Sequence, residues 1–341
     1  MRDQPCFFGA VEAGGTKFVV AIGNDRGEIV AQERFPTADP HSTLASVHAS
    51  LRQQAHTFGT LDAIGLACFG PVELDKDCAR YGFIARTPKA GWSDIDMVAA
   101  LAREFRCPIG FDTDVNAAAL AEHRWGAARD VGNLVYLTVG TGIGGGVIVD
   151  GVPIHGLMHP EIGHIHPRRH PLDNGFEGVC PFHGDCLEGV ASGPAILARS
   201  GAPLQQLDEA HPQWNIEADY LGQLCAQLVL TVSPQRIIMG GGVMSQARLL
   251  PLIRTRLLHW LGGYVDRSEI LCNIDRYVVA PELGDEAGVC GALVLAMDAV
   301  ERPDPGNSKG AAATEPTSAS MRNAGSSAES APRSPTSRSP R

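Results

Sequence analysis

Apolar runs broken by glycine turns occur twice along the chain in the same order. The first copy lies between residues 7 and 31, and the second lies between residues 134 and 154. Short runs rich in Val and Ile that are bounded by Gly, Asn and Asp predict strands joined by tight turns. Each copy is therefore predicted to form a strand, a glycine turn, a second strand, a tight turn and a third strand.

Further apolar patterns predict the elements that follow these hairpins. A strand is predicted to begin near Pro108 and to end in residues 111–116, before a helix that starts at Ala117. A third glycine run, residues 240–242, follows another apolar strand and precedes an amphipathic pattern over residues 246–261. Alternating strands and helices of this kind predict an α/β protein.

The repeat predicts two similar α/β halves that close over a shared cleft. We expect a smaller N-terminal domain over residues 1–112 and a larger domain over residues 113–288. The turn at residues 284–288 is expected to begin a final helix, residues 289–300, which packs back on the first domain. Residues 301–341 contain no aromatic residue, Val, Ile or Leu, and this composition predicts a disordered low-complexity tail.

The composition restricts the classes of partner. Lys and Arg number 28 against 38 Asp and Glu, and this acidic balance argues against nucleic acid. The N-terminus lacks an apolar signal segment and no later run is long enough to span a bilayer, so we expect a cytoplasmic protein with no membrane partner. The nine cysteines, apart from Cys180 and Cys186, are expected to be buried thiols rather than disulfides.

The glycine turns are candidates for phosphate binding. Residues 140–145 match the Gly-x-Gly-x-x-Gly dinucleotide fingerprint, but a strand is predicted directly afterwards, where the fingerprint needs a helix. The Walker pattern of Gly-Lys followed by Ser or Thr is missing as well. A hairpin tip of Gly and Thr offers backbone N–H groups and hydroxyls to the terminal phosphates of a nucleotide. Either turn alone fits an ordinary hairpin, and their presence in both halves favours phosphate binding.

The richest group of metal-binding side chains lies between Glu161 and Glu188. It consists of His164, His166, His170, Cys180, His183 and Cys186. The spacing Cys-x-x-His-x-x-Cys allows three soft ligands to close on one tetrahedral zinc ion. The fourth ligand must come from upstream, where His164 and His166 are predicted on the same face of a short strand and are not separated by spacing. The alternative is a surface loop with incidental histidines.

Asp112 and Asp114 are the candidates for a catalytic base. They lie at the end of a predicted strand and before a helix, where carboxylates face a cleft in α/β folds. A kinase that acts on a hydroxyl needs a carboxylate to accept the proton. The alternative is that Asp114 and Asn116 only cap the helix, which is the usual role of Asp and Asn at this position.

In combination these motifs resemble the ROK family of sugar kinases and sugar-responsive repressors, over about residues 8–297. The segments that carry the resemblance are 12–17 (EAGGTK), 70–72 (GPV), 112–116 (DTDVN), 138–146 (TVGTGIGGG), 161–164 (EIGH) and 240–243 (GGGV). The resemblance implies the two-domain actin-like ATPase fold, of the ribonuclease H-like type, with duplicated βββαβα halves and a cleft between them.

The resemblance also implies a role for individual residues. The general base is Asp114. The sugar contacts are Gly70, Pro71, Asn116, Glu161, His164 and Glu188. The ATP contacts are Gly14, Gly15, Thr16, Lys17, Gly140, Thr141, Gly142, Gly240, Gly241 and Gly242. The ligands of a structural Zn²⁺ are His164, Cys180, His183 and Cys186, and Glu12 is the candidate ligand of the Mg²⁺ that accompanies ATP.

Both EAGGTK and Cys-x-x-His-x-x-Cys are similar to the bacterial fructokinase branch of the family. The resemblance therefore implies ATP-dependent phosphorylation of the 6-hydroxyl of D-fructose by a homodimer, with a glucokinase or a broad hexose or mannose kinase as the alternative. Glu12 and Thr113 depart from the family's usual Asp and Asn, and His183 replaces a cysteine found in many members. A non-catalytic sugar-binding regulator is disfavoured, because eleven residues precede Glu12, too few for a helix-turn-helix domain.

Overall fold

The computed structural model describes residues 6–173 and 175–301. Strands and helices alternate along these residues. The strands are β1 (Phe7–Ala13), β2 (Lys17–Asn24), β3 (Ile29–Pro36), β4 (Ala63–Cys68), β5 (Ile109–Thr113), β6 (Leu134–Val139), β7 (Ile143–Val149), β8 (Val152–Pro153), β9 (Arg236–Gly240) and β10 (Val278–Val279). The helices are α1 (Pro40–Phe58), α2 (Met97–Ala102), α3 (Asp114–Arg124), α4 (Leu187–Ala191), α5 (Gly193–Ser200), α6 (Gln213–Thr231), α7 (Leu249–Leu261), α8 (Ser268–Leu271), α9 (Ile274–Tyr277) and α10 (Ala287–Glu301).

The strands form two sheets of the same topology. The first sheet has the order β3-β2-β1-β4-β5, and the second, read from the corresponding edge, has the order β8-β7-β6-β9-β10. In the first, β1 pairs antiparallel with β2 and parallel with β4; in the second, β6 pairs antiparallel with β7 and parallel with β9. The five strands of the second sheet thus occupy the positions of the five strands of the first, so the predicted duplication is present in the strand order.

The first sheet is buried on both faces, because α1 packs on one side and α10 on the other. All six residues of β4 are buried, as expected for a strand covered on both faces. Helix α10 approaches the sheet at backbone distance: a Cβ on Gly65 would lie 1.7 Å from the carbonyl oxygen of Ala292, and one on Gly110 would lie 2.1 Å from that of Leu295. Helix α10 thus packs on the first sheet and also on α3, and its assignment to the first domain stays a prediction.

Three local predictions differ from the structure. Helix α3 begins at Asp114 rather than Ala117, because the Thr113 hydroxyl caps it by accepting the Asn116 N–H at 3.1 Å. Helix α7 begins at Leu249 rather than at residue 246, after a series of turns. The short strand expected around His164 is wrong, because Ile162–His164 is a turn of 3-10 helix.

The predicted boundary after residue 112 falls at the end of β5 and stays a prediction. Of the predicted tail, only Glu301 is described, as the last residue of α10, and the remaining residues lie outside the described part of the chain. Among the helices of residues 6–173 and 175–301, none has both the length and the apolar character required to cross a bilayer.

Candidate active site

Asp114 begins α3 directly after β5. The cap formed by Thr113 and the N–H of Asn116 fixes this start at the carboxyl end of a strand, where polar groups face a cleft in α/β folds. Burial, with the added negative charges of Glu12 and Glu161, raises the pKa of Asp114 to about 7. A carboxylate whose pKa lies near neutrality is well suited to take a proton from a hydroxyl.

Asp112, the other candidate base, is bonded on both oxygens. Its Oδ1 accepts hydrogen bonds from the backbone N–H of Thr113 at 2.7 Å and from Asn116 Nδ2 at 2.8 Å. Its Oδ2 lies 2.9 Å from His155 Nε2, and this bond raises the pKa of His155. Asp112 is 3% exposed. Asp114 is half-buried, and its Oδ1 accepts the backbone N–H of Val115 at 2.9 Å, so the choice of Asp114 over Asp112 as the base stays a prediction.

Asn116, a predicted sugar contact, is 1% exposed and donates to Asp112 rather than facing open space. Its Oδ1 has no hydrogen-bond partner among the described residues. A buried amide oxygen without a partner is unusual in a native protein. A direct sugar contact at Asn116 stays a prediction, and in this structure the side chain holds Asp112.

Glu12, on β1, presents a carboxylate to the same region. Burial raises its pKa, against the opposing charges of Lys17 and Arg34. Its Oε2 is inaccessible and has no hydrogen-bond partner in the described part of the chain. Gly288 of α10 makes room for this side chain, because a Cβ there would lie 2.6 Å from Glu12 Cδ. An inaccessible carboxylate oxygen of this kind fits a cation ligand, and Mg²⁺ is bound through such oxygens.

Glu188 lies beside the second glycine turn, and its charge interacts with that of Glu161. Glu188 Oε2 accepts the backbone N–H of Ile143 at 2.9 Å. Gly142 leaves room for this carboxylate, because a Cβ at that position would lie 2.6 Å from the same oxygen. Burial and the charge of Glu188 raise the pKa of Glu161 to about 7. Glu188, a predicted sugar contact, therefore lies against a turn that is predicted to bind phosphate, and Glu161 is close enough to Glu188 for their charges to interact.

The other predicted sugar segment, Gly70–Pro71, is brought to Glu161 by a residue that sequence reasoning missed. His159 is 4% exposed, and its Nε2 accepts the backbone N–H of Val72 at 3.1 Å. Its Nδ1 lies 3.5 Å from Glu161 Oε1. Nothing in the local pattern separates His159 from the other histidines of this segment, because its partner Val72 is 87 residues away in the chain.

The glycine turns form two groups. In the first turn, Gly14 N–H donates to the Lys17 carbonyl at 3.0 Å, and Thr37 Oγ1 donates to the Gly14 carbonyl at 2.7 Å. The exposed residues Gly15, Thr16 and Lys17 form its tip. The second turn, residues 140–142, lies against the third, residues 240–242, since a Cβ on Gly140 would lie 3.8 Å from the Gly242 nitrogen.

Four side chains of the histidine- and cysteine-rich segment converge on one point. The ligand atoms of His164, Cys180, His183 and Cys186 all lie within 4.8 Å of one another. His164 Nδ1 is 3.4 Å from Cys186 Sγ, and Cys180 Sγ is 3.7 Å from His183 Nδ1. Two nitrogen and two sulfur donors at this spacing fit a closed tetrahedral Zn²⁺ site.

His166 lies outside this group. It is exposed, and its Nδ1 is 3.7 Å from Asp185 Oδ1 rather than beside a cysteine. The knuckle that carries the ligands is closed by two backbone hydrogen bonds between Cys180 and Gly184, whose φ of 66° favours glycine. His164, which belongs to both predicted sites, turns Nδ1 to the cysteines and leaves Nε2 for another contact.

The family model described as "ROK family" matches residues 8–299. The chain belongs to the ROK family. The prediction made from the motifs is therefore confirmed over almost all of the described residues. A fructokinase of Zymomonas mobilis is 42% identical to this ROK chain over 305 residues, which cover 88% of this chain and 99% of that protein.

A second relative, a fructokinase of Pediococcus pentosaceus, is 40% identical over 293 residues, which cover 86% of this chain and 98% of that protein. Among solved structures, a ROK hexokinase from Thermus thermophilus has a TM-score of 0.70 and is 25% identical, covering 86% of this chain and 99% of that one. This likeness confirms the predicted fold class of duplicated α/β halves of the actin-like ATPase type.

Proposed function

We propose that this ROK protein is an ATP-dependent fructokinase, which converts D-fructose and ATP to fructose 6-phosphate and ADP. The observation that carries the proposal is the position of Asp114, whose pKa near 7 results from burial and from the nearby carboxylates Glu12 and Glu161. Fructose as the acceptor is supported by the two relatives named fructokinase, each at least 40% identical over most of both chains. The proposed enzyme acts as a homodimer, as the family resemblance implies.

In the proposed reaction, Asp114 accepts the proton of the sugar 6-hydroxyl as that oxygen attacks the γ-phosphorus and the bond to the β-phosphate oxygen breaks. The backbone N–H groups of the turns at residues 14–17 and 140–142 hold the phosphates. Glu161, Glu188 and His164 Nε2 hold the ring hydroxyls. Positioning and stabilisation of charge supply most of the rate in such transfers.

We propose that Glu12 contributes to holding Mg²⁺. Its buried carboxylate oxygen, which has no hydrogen-bond partner among the described residues, supports this role. When bound with ATP, Mg²⁺ neutralises charge on the phosphates. The negative charge of Glu12 also raises the pKa of Asp114. Glu12 therefore affects both the proposed cation site and the protonation of the base.

We propose a structural rather than catalytic Zn²⁺ at His164, Cys180, His183 and Cys186. Four protein donors would fill a tetrahedral shell and leave no position for water. The zinc would fix the sugar contacts, because Glu188 follows Cys186 in α4 and the Glu161 carbonyl accepts the His164 N–H at 3.0 Å.

A panel of hexoses tests the choice of acceptor. We expect kcat/KM with MgATP to be at least about tenfold higher for fructose than for glucose or mannose, because a sugar of the wrong stereochemistry leaves buried polar groups unpaired, at about 1–3 kcal/mol each. A coupled ADP assay measures the ratio. A higher kcat/KM for glucose or mannose would favour the alternative of a glucokinase or broad hexose kinase.

The pKa of Asp114 predicts an acid limit to activity. The base works only when it is ionised, so log kcat/KM for the sugar is expected to rise with pH and then to level. The levelling is expected at or below about pH 7, because bound Mg²⁺ would offset the charge of Glu12 that helps to raise the pKa of Asp114. Protonation of Glu161, whose pKa is also about 7, would make the fall on the acid side steeper than tenfold per pH unit. Initial rates between about pH 5.5 and 8.5 at saturating MgATP provide the test, and a flat profile would contradict the assignment.

A further inference from the structure

We infer that His159 is a positioning residue of the hexose site. It joins Val72, which follows β4 of the first sheet, to Glu161, which follows β8 of the second, and it holds one oxygen of Glu161 while the other receives a sugar hydroxyl. This role rests on the proposed function in taking a sugar as the ligand of Glu161. The link between Val72 and His159 is independent of that function.

The bond from Val72 fixes the tautomer of His159. The backbone N–H of Val72 lies 3.1 Å from His159 Nε2, and a nitrogen that accepts a hydrogen bond carries no proton. The neutral ring therefore carries its proton on Nδ1. Burial lowers the pKa of His159 and so keeps the ring neutral. The imidazole accepts from the first half of the chain and can donate only from Nδ1.

The Nδ1–H faces Glu161. Nδ1 lies 3.5 Å from Glu161 Oε1, longer than an ordinary hydrogen bond, and a small movement of the carboxylate would bring the pair to that distance. The backbone carbonyl of Pro160 is a second acceptor close to the ring. Gly70 closes the corner: a Cβ there would lie 3.2 Å from His159 Cε1 and 3.4 Å from Glu161 Oε1. Gly70 therefore leaves just enough space for the ring of His159 and the carboxylate of Glu161 to lie side by side.

A second histidine anchors the same loop. His155 and His159 both follow β8, and His155 Nε2 lies 2.9 Å from Asp112 Oδ2 on β5. The segment between β8 and Glu161 is thus attached to the first half at two points, Asp112 and Val72. The position of Glu161 depends on these attachments, which makes the sugar site sensitive to the contact between the halves.

Two isosteric substitutions separate the two functions of the ring. His159→Gln places an amide near Nε2, so it keeps an acceptor for Val72 and loses the donor to Glu161. His159→Asn places an amide near Nδ1, so it keeps the donor and loses the acceptor. His159→Phe keeps the shape and loses both.

For His159→Gln we expect the sugar KM to rise by about 10- to 100-fold, as for loss of a hydrogen bond to a charged group. The KM for ATP and the amide exchange of the segment that contains Val72 are expected to stay unchanged. For His159→Asn we expect faster amide exchange in that segment and a smaller rise in sugar KM. Hydrogen-exchange mass spectrometry and kinetics with the best sugar of the panel give these values.

Equal effects of Gln and Asn on both readouts, matched by Phe, would reduce His159 to a packing residue and overturn the inference. A wild-type sugar KM in His159→Gln would overturn the role toward Glu161. If the variants do not fold, long-range ¹H–¹⁵N spectra of the ¹⁵N-histidine-labelled wild-type protein decide the tautomer, and a neutral ring protonated on Nε2 in place of Nδ1 is the contrary result. If no sugar is phosphorylated, the proposed function fails, while amide exchange and the tautomer still test the link.

Discussion

Asp114→Asn is expected to lower kcat by about 10²- to 10⁴-fold, the range for loss of a general base, and at the same time to raise the thermal stability. The amide cannot accept the hydroxyl proton. The charge that it removes is one that burial, Glu12 and Glu161 disfavour, as the raised pKa of Asp114 shows. Between about pH 4 and pH 7 the folded wild-type protein binds more protons at Asp114 than the unfolded chain, so stability falls as pH rises through this window. The gain in Tm is therefore expected at pH 8 and not at pH 4.

The neighbouring carboxylate supplies the control. Asp112→Asn removes the charge from a side chain whose oxygens accept from Thr113 and Asn116 and contact His155. We expect this variant to lose stability and to keep a larger share of kcat than Asp114→Asn. Steady-state kinetics and thermal unfolding at both pH values separate the two residues. A greater loss of kcat in Asp112→Asn would move the base to Asp112.

Removal of the proposed Zn²⁺ is expected to lower Tm by roughly 10 °C and to raise the sugar KM. A metal present at about 1,000 times its Kd stabilises the fold by about 4 kcal/mol, and each kcal/mol corresponds to roughly 2–4 °C in a chain of this order of size. The sugar KM rises because Glu161 and Glu188 flank the ligands His164 and Cys186. Metal analysis, thermal unfolding and fructose kinetics before and after chelation measure these effects.

Cys180→Ser and His166→Ala form a matched pair for this site. Cys180 belongs to the group of four converging ligand atoms, and His166 lies beside it as an exposed side chain. We expect Cys180→Ser to lose the metal and His166→Ala to retain one zinc per chain. Retention of zinc by Cys180→Ser, or its loss from His166→Ala, would contradict the ligand set. An unchanged fructose KM in zinc-free protein would refute the bracing of Glu161 and Glu188.

The hairpins were predictable from the sequence because the patterns that define them are local. The strands β1, β2, β6 and β7 appear where the apolar runs predict them, and the glycine turns lie between them. Helix α3 begins earlier than predicted because capping by Thr113 depends on one hydroxyl, while the apolar pattern becomes clear only in the following alanines. The start of a helix, which depends on one capping residue, is harder to predict from a sequence than a long periodic pattern.

The candidate site was predictable only in part. The residues 161–188 could be assigned to a metal site by spacing, but the preference for His164 came from the family resemblance, since spacing alone placed His164 and His166 on one face. Ile162–His164 forms a 3-10 turn rather than a strand, so the two histidines need not share a face. His164 lies with the cysteines and His166 lies beside Asp185. His159 and His155 were missed because their partners, Val72 and Asp112, lie 87 and 43 residues away, and no local pattern encodes such contacts.

The packing of α10 on the first sheet has a consequence for the order of folding. Gly65 of β4 and Gly110 of β5 touch the backbone of a helix that is made almost last among the described residues. During synthesis, the first sheet therefore emerges from the ribosome with one apolar face uncovered. That face can be buried only after the strands of the second sheet and then α10 have been synthesised. Contacts so distant in sequence slow folding and prolong the exposure of apolar surface, so we expect the first half to reach its final structure only after α10 has been made.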